Sequence, residues 1–198
     1  MKKYIIDLHS KNAKKQGFLA RSVFKLMYLN KKYSLFNKNS NVLDLGCAPG
    51  SWIQYIRTQV INGIIIGVDL LPIKVHENNK FHFIKKDIYK ITLDEITSKL
   101  QNKNKKFDVI ISDMAPNTTG INDVDCYNSF LLFKKAMEIV NNALNKNGIC
   151  CLKIFSTIFY KDIQKRYKSF FQQIILEKPN VIKKESKEIY VIFYKKID

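Results

Sequence analysis

Short apolar runs alternate along the chain with stretches in which apolar residues recur every three or four positions. The runs are rich in β-branched residues and predict strands at Asn41–Leu45, Ile64–Val68, Phe81–Ile84, Phe107–Ser112, Ile149–Phe155 and Glu188–Tyr194. The longer spacing predicts helices over 19–34, Ser51–Thr58, Asp94–Leu100, Asp125–Leu144 and Tyr160–Phe171. Strands that alternate with helices predict the α/β class, with a mostly parallel central sheet and helices on both of its faces.

Residues able to carry chemistry follow the ends of the predicted strands. They are the loop Gly46–Gly50, Asp69, Asp87, Asp113 and Lys153. Parallel sheets of this class bind ligands beyond the carboxyl ends of their strands. We therefore expect these residues to share one site. Asp44, inside the first predicted strand, is expected to brace the loop rather than to contact a ligand.

The loop Gly46–Gly50 joins a predicted strand to a predicted helix, as nucleotide-binding turns do. Glycine permits a positive φ and a close approach of the backbone to a ligand. Ala48 stands between the two glycines and there is no matching third one, so the dinucleotide fingerprint G-x-G-x-x-G is not met and NAD is disfavoured. Asp69, at the end of the second predicted strand, is placed to accept both hydroxyl protons of a ribose.

Charge is distributed unevenly over the 198 residues, whose net charge is +17. Residues 1–40 carry ten Lys or Arg and one acid, whereas residues 41–152 carry 13 basic and 11 acidic residues. A positive surface beside a nearly neutral core favours RNA or DNA over a membrane as partner, and a solvated lysine-rich face is the alternative. The length predicts a single domain over 1–198, with a basic segment and helix over about 1–38 before the core sheet.

The four cysteines form no C-x-x-C pair and the three histidines lack ligand spacing, so we expect no metal site and a reducing, intracellular compartment. No apolar run approaches the roughly 18 residues that span a bilayer. The first residues lack a signal-peptide core. The sequence does not distinguish the mitochondrion or another organelle from the cytoplasm or the nucleus. It also leaves open whether a targeting segment was removed. We expect a monomer.

Three motifs resemble the FtsJ family of RNA ribose 2'-O-methyltransferases: DLGCAPGSW at 44–52, GVDLLP at 67–72 and SDMAPN at 112–117. ARSVFKL, LKIF and KEIYVI also match, so the similarity runs from about Arg21 to Tyr190. The resemblance implies a Rossmann-like methyltransferase fold with S-adenosylmethionine as cofactor. It assigns the cofactor to Gly46, Ala48, Pro49, Gly50, Trp52, Asp69, Asp87 and Asp113.

The resemblance also implies which part of the cofactor each of these residues would contact. Gly50 and Trp52 would hold the methionine end, and Asp69 would hold the ribose. Asp87 would hold the adenine amine, while Asp113 would line the sulfonium side.

The catalytic set of the family is Lys-Asp-Lys-Glu, which the resemblance maps onto Lys25, Asp113, Lys153 and Glu188. Lys153 lies in an apolar strand, where an unpaired ammonium is costly. Desolvation and a second cation, Lys25, both favour a neutral amine, which makes Lys153 the expected general base. Asp113 and Glu188 would orient the two lysines. The reaction requires no metal.

SDMAPN followed by TTGINDVD resembles the large-subunit rRNA enzymes of the family, which implies a 2'-O-methyluridine in 23S-like rRNA, within a ribosomal subunit. A tRNA ribose 2'-O-methyltransferase is one alternative. A non-catalytic RNA-binding ribosome-assembly factor is another, although it should lack a member of the catalytic set. An amino-group methyltransferase should carry an Asn/Asp-Pro-Pro-aromatic turn after the fourth strand, where this chain has Asp113-Met114-Ala115-Pro116-Asn117.

The RNA surface is expected near the amino terminus. Candidate phosphate contacts are Lys2, Lys3, Lys11, Lys14, Lys15 and Arg21. Candidate stacking residues are Tyr4, Phe18, Phe24 and Tyr28, for which core packing is the alternative.

Overall fold

The apolar runs assemble into one sheet in the computed structural model, which describes residues 10–101, 104–181 and 186–197. In these ranges the strands are β1 (Val42–Leu45), β2 (Ile65–Asp69), β3 (Phe81–Lys85), β4 (Phe107–Ser112), β5 (Leu144–Ile154), β6 (Phe171–Glu177) and β7 (Ile189–Lys196). The helices are α1 (Val23–Tyr33), α2 (Ser51–Gln59), α3 (Leu93–Thr97), α4 (Asn122–Ala143) and α5 (Tyr160–Tyr167), and residues 10–15 are also helical.

The strand order of the sheet is β3-β2-β1-β4-β5-β7-β6. Strands β1 to β5 are parallel, whereas β7 runs antiparallel to both β5 and β6. The predicted, mostly parallel sheet is therefore confirmed. Because β7 is reversed, its first residues lie at the edge where β1 to β5 end, and Tyr190 pairs with Lys153 of β5 there.

Helices cover both faces of the sheet, as predicted. One apolar layer joins α1 and α2 to the sheet, through residues such as Leu26 and Ile53. The other layer joins α3, α4 and α5 to the opposite face, through residues such as Phe133. Successive strand residues alternate between the faces, so the adjacent, fully buried Cys150 and Cys151 belong to different layers. No helix of the described ranges is long and apolar enough to cross a bilayer.

The junction between α4 and β5 differs slightly from the prediction. The helix ends at Ala143, and β5 begins at Leu144 rather than at Ile149. Leu144 pairs with Phe107 of β4 across an irregularity in the ladder. The extension therefore depends on a strand partner, which local periodicity does not reveal.

Strand β6 was missed by the sequence analysis, and the helix predicted to reach Phe171 ends at Tyr167 instead. The exposed Gln172 and Gln173 interrupt the apolar run, so no alternating pattern marks the strand. Pairing with β7 at the edge of the sheet supplies the order that the local pattern lacks.

Helix α1 is fastened to the end of β6 by one carboxylate. Glu177 accepts hydrogen bonds from the Tyr28 hydroxyl at 2.8 Å, from Lys32 Nζ at 2.7 Å and from the Tyr33 hydroxyl. Burial alone would raise the pKa of Glu177, but these three donors hold it below its usual range. Glu177 thus fixes the carboxyl-terminal half of the helix that carries Lys25.

We expect Glu177→Ala to lower the free energy of unfolding by about 1–3 kcal/mol, because the Tyr28 and Tyr33 hydroxyls lose their acceptor. Urea denaturation measures the change. The control is Glu138→Ala, which removes an exposed ion pair with Lys135 and should cost under about 0.5 kcal/mol. Equal losses in the two variants would contradict the anchoring role of Glu177.

Candidate active site

A cavity of about 560 Å³ opens at the carboxyl ends of the parallel strands. The loops after β1, β2, β3 and β4 and one face of α4 line it. Of the residues assigned to the cofactor from the sequence, the lining includes Gly46, Ala48, Asp69, Asp87 and Asp113. The expectation of a shared site at this edge therefore agrees with the fold.

Pro49, Gly50 and Trp52 do not line this cavity. Trp52 is buried, its Nε1 donates to the Ser22 carbonyl at 2.9 Å, and its ring lies 6.3 Å from that of Tyr190. Its assignment to the methionine end of a cofactor stays a prediction. The role that the structure gives to Trp52 is to connect α2 with the segment before α1.

Gly46 allows the loops after β1 and β4 to approach each other. Its φ is +83°, and its amide donates to the Val68 carbonyl at 2.8 Å. A Cβ built at Gly46 would lie 2.7 Å from Met114 Cγ and 2.9 Å from the Met114 amide nitrogen. Any side chain here would push apart the two loops that carry the predicted cofactor and catalytic residues.

Asp69 holds two loops at the mouth of the cavity. Its Oδ2 accepts from the Ala48 amide and its Oδ1 accepts from the Leu71 amide, both at 2.8 Å. Each carboxylate oxygen retains a second lone pair, so Asp69 can also accept two hydroxyl protons from a ligand. The bracing role that the sequence analysis gave to Asp44 thus belongs to Asp69.

Asp44 is fully buried, and its two carboxyl oxygens have no hydrogen-bond partner among the described residues. Burial, followed by the nearby charges of Asp113 and Asp69, raises its pKa well above the usual range. Burial therefore favours the uncharged form of this carboxyl.

Asp87 lies after β3 on another side of the cavity. Its Oδ1 accepts from the Tyr89 amide at 3.0 Å, which shapes a local turn. Its second oxygen can accept from a ligand, and the partly exposed Tyr89 ring lines the cavity beside it. The position suits an amine donor on an aromatic ring.

The four predicted catalytic residues meet at one end of this edge. Lys25 Nζ lies 3.1 Å from both carboxylate oxygens of Asp113 and 3.3 Å from Glu188 Oε2. Lys153 Nζ lies 3.0 Å from Asp113 Oδ1, 3.6 Å from Glu188 Oε1 and 2.6 Å from the Asp113 carbonyl oxygen. These residues lie up to 163 positions apart in the sequence. They meet because α1, β5 and the ends of β4 and β7 come together at this edge of the sheet.

Tyr190 joins this cluster and had no role in the sequence analysis. It is fully buried, and its hydroxyl donates to Asp113 Oδ1 at 2.6 Å. Burial and Asp113 raise the pKa of Tyr190 well above the usual range, so it remains a donor. The sequence held one signal for this role. Tyr190 follows Glu188 by two positions, and residues two positions apart share one face of a strand.

Asp113 is the acid on which the cluster converges. Burial acts to raise its pKa, but Lys153, Lys25 and the hydrogen bonds from Tyr190 and Lys153 lower it below the usual range. Asp113 is therefore ionised and accepts from two lysine side chains and one hydroxyl.

The rest of the predicted surface is partly described. Lys2, Lys3 and Tyr4 lie outside the described residues. Lys11, Lys14, Lys15 and Arg21 are exposed. Phe18, Phe24 and Tyr28 are half-buried, and Tyr28 is engaged with Glu177. Across 10–101, 104–181 and 186–197, no group of three or more His, Cys, Asp or Glu side chains is arranged to hold a metal ion.

The lowered pKa of Asp113 makes the stability of the cluster pH-dependent. An acid whose folded pKa lies below its unfolded value of about 3.9 stabilises the fold fully above that value and loses the effect as the pH falls through its folded pKa. Asp113→Asn should therefore destabilise the protein by a constant amount between pH 7 and 5. The difference from wild type should shrink below about pH 4. Urea denaturation at each pH measures it, and a difference that grows on acidification would contradict the assignment.

Comparison with known proteins places this geometry in a family. The sequence profile of the FtsJ-like methyltransferases matches residues 18–196. A protein of Borrelia garinii subsp. bavariensis named ribosomal RNA large subunit methyltransferase E is 38% identical over 94% of each chain. A protein of the same name from Methanocaldococcus jannaschii is 39% identical over 94% of this chain and 77% of its own.

Solved structures give the same result for the fold. A crystal structure from Plasmodium falciparum, described as a ribosomal RNA methyltransferase, superposes with a TM-score of 0.80 at 28% identity. The match covers 91% of this chain and 99% of the other. The architecture is the Rossmann-like methyltransferase fold, with a mixed, mostly parallel sheet between helices. The chain belongs to the FtsJ-like methyltransferase family.

Proposed function

We propose that the chain transfers a methyl group from S-adenosylmethionine to the ribose 2'-hydroxyl of a nucleotide in large-subunit rRNA, with Lys153 as the general base. The target nucleotide is expected to be uridine. The observation that carries the proposal is the cluster of Lys25, Asp113, Lys153 and Glu188 at the edge of the cavity. The names of the relatives, which act on large-subunit ribosomal RNA, support the substrate class.

The acidic lining of the cavity fits S-adenosylmethionine. The second lone pairs of Asp69 can accept from a ribose diol, and the second oxygen of Asp87 can accept from the adenine amine. When bound, this cofactor supplies a methyl group on a positively charged sulfur. The chain's part is to hold it and to exclude competing water.

The contacts of Lys153 suit a proton acceptor. A neutral amine has two N–H donors and one lone pair. The two nearest acceptors of Lys153 Nζ are the Asp113 carbonyl at 2.6 Å and Asp113 Oδ1 at 3.0 Å, which match two donors. The lone pair is then left for the ribose hydroxyl. Lys153 Nζ would accept the proton of the hydroxyl as its oxygen bonds to the methyl carbon, while the bond from that carbon to sulfur would break and release the cofactor as a neutral thioether.

Lys25 has a different set of contacts and a different role. Its Nζ contacts both carboxylates at 3.1–3.4 Å, so we assign it as the ammonium that balances Asp113 and Glu188. Tyr190 holds Asp113 in place throughout.

We expect Asp69→Ala to weaken S-adenosylmethionine binding about 10- to 150-fold, the equivalent of losing roughly 1.5–3 kcal/mol of hydrogen bonding by a charged acceptor. Isothermal calorimetry measures the affinity. Asp162→Ala, an exposed acid in α5, is the control and should bind as wild type does. Unchanged affinity in Asp69→Ala, or preferential NAD binding by the wild type, would refute the cofactor assignment.

Lys153→Arg should abolish methyl transfer while RNA and cofactor binding persist. Arginine keeps the charge but does not give up its proton in a protein. Loss of a general base typically removes a factor of about 10²–10⁴ in rate. Single-turnover methylation with saturating cofactor and RNA measures it, and Lys196→Arg controls for the larger side chain at another buried lysine. A Lys153→Arg rate within a few-fold of wild type would leave Lys153 as an electrostatic clamp only.

The same variant identifies the RNA in cells. Mapping of 2'-O-methylated riboses in cells that carry only the Lys153→Arg chain should show one uridine of large-subunit rRNA without its methyl group. Loss of a methyl group from tRNA alone would transfer the assignment to the tRNA branch. Unchanged methylation of all RNA would refute the proposed activity.

A further inference from the structure

The Gln54 side chain makes a two-point contact with the backbone that precedes α1. Its Oε1 accepts from the Leu19 amide at 2.9 Å, and its Nε2 donates to the Gly17 carbonyl at 2.8 Å. Gln54 lies in the first turn of α2, directly after the loop Gly46–Gly50. A carboxamide is needed at this position because it supplies one acceptor and one donor at the same time.

Two further hydrogen bonds hold the next residues of the same segment. Trp52 Nε1 donates to the Ser22 carbonyl, and the Ser22 and Ser51 hydroxyls lie 2.9 Å apart. The Leu19 side chain also packs near Gly50, since a Cβ built on Gly50 would lie 3.5 Å from Leu19 Cδ1. Residues 17–22 are therefore fastened to the start of α2 in addition to their backbone hydrogen bonds with sequence neighbours, such as that from the Phe18 amide to the Ala13 carbonyl at 2.9 Å.

This segment joins two parts that the proposed reaction uses. On its amino-terminal side are the helical residues 10–15, where Lys11, Lys14 and Lys15 are exposed and Ala13 is buried. On its carboxyl-terminal side is α1, which carries Lys25. The far half of α1 has its own anchor in Glu177, so α1 does not depend on Gln54 alone.

We propose that Gln54 is a positioning residue that fastens residues 17–19 and thereby holds the basic segment 10–15 in place for RNA beside the active site. The inference rests on the proposed function, in which RNA is the substrate. Ordering a lysine-bearing segment before RNA arrives lowers the entropy cost of binding its phosphates. Gln54 then acts on RNA affinity, while the Glu177 anchor and the core keep Lys25 in the cluster.

The test compares Gln54→Met, which retains the size of the side chain but neither hydrogen bond, with Gln54→Glu, which retains only the acceptor. Both variants should raise the KM for RNA about 10-fold, as the loss of one or two hydrogen bonds predicts. The kcat and the calorimetric affinity for S-adenosylmethionine should stay within about twofold of wild type. Gln164→Met, at an exposed site on α5, is the control. A fall in kcat with unchanged KM would overturn the proposal.

A double-mutant cycle links the effect to the lysines. Lys14→Gln with Lys15→Gln should reduce the slope of log affinity against log salt by about 0.7–0.9 for each RNA phosphate that the protein no longer binds. In the Gln54→Met background the same pair should change the slope little, because the segment no longer presents these lysines. Equal slope changes in both backgrounds would show that Gln54 does not act through the basic segment.

Hydrogen exchange separates this inference from the proposed function. Gln54→Met should accelerate exchange of the Leu19 amide and of residues 10–17 about 10-fold, whatever the substrate is. Faster exchange with unchanged RNA binding would overturn the positioning role. Faster exchange and weaker RNA binding, in a wild-type protein that methylates no RNA, would uphold the role of Gln54 and refute the proposed reaction. Unchanged exchange would show that Gln54 does not fasten the segment.

Discussion

The mutual contacts of two lysines with two carboxylates are the constraint on which the site depends. Lys153 is almost entirely buried, and a buried ammonium without partners would cost several kcal/mol. Each of the two lysine nitrogens lies within 3.6 Å of oxygens from both Asp113 and Glu188. Because the four residues come from α1, the end of β4, β5 and the start of β7, these polar groups meet their partners only when these elements are all in place. Assembly of the site is thus part of folding.

The reversed direction of β7 makes this convergence feasible. In an all-parallel sheet, a strand following β5 would begin at the edge opposite to the one where β5 ends. Antiparallel pairing instead brings the start of β7 to that edge, with Tyr190 beside Lys153 and Glu188 just before it. Strand β6 is antiparallel to β7 and so runs in the direction of β5, which places its last residue, Glu177, at the same edge, opposite Tyr190, where it contacts α1. The reversal of β7 therefore places Glu188 beside the two lysines of the cluster.

The sequence predicted those strands and helices whose order is set by the residues within them. The apolar runs of β1, β2 and β4 are buried central strands, and such strands read as continuous apolar sequence. The motifs indicated Asp69, Asp113, Lys153 and Glu188, because each follows or belongs to a recognisable strand. The sequence did not predict strand β6, because its order comes from pairing with β7. The sequence also did not predict the contacts of Tyr190, Glu177 and Gln54. These contacts join residues 35 to 149 positions apart, and no periodicity encodes such pairs.

The two ligands of the proposed reaction, the cofactor and RNA, are favoured by regions of opposite charge. Asp69 and Asp87 line the cavity, and the lysine in the lining, Lys86, is paired with Glu95, although the chain as a whole carries a net charge of +17. An acidic interior attracts a cationic sulfonium and repels phosphate, whereas exposed lysines attract a polyanion. Charge alone therefore disfavours entry of RNA into the cofactor cavity. Asp113 lines the cavity and also contacts both lysines of the cluster, so in the proposed reaction this is where the ribose would meet the methyl group.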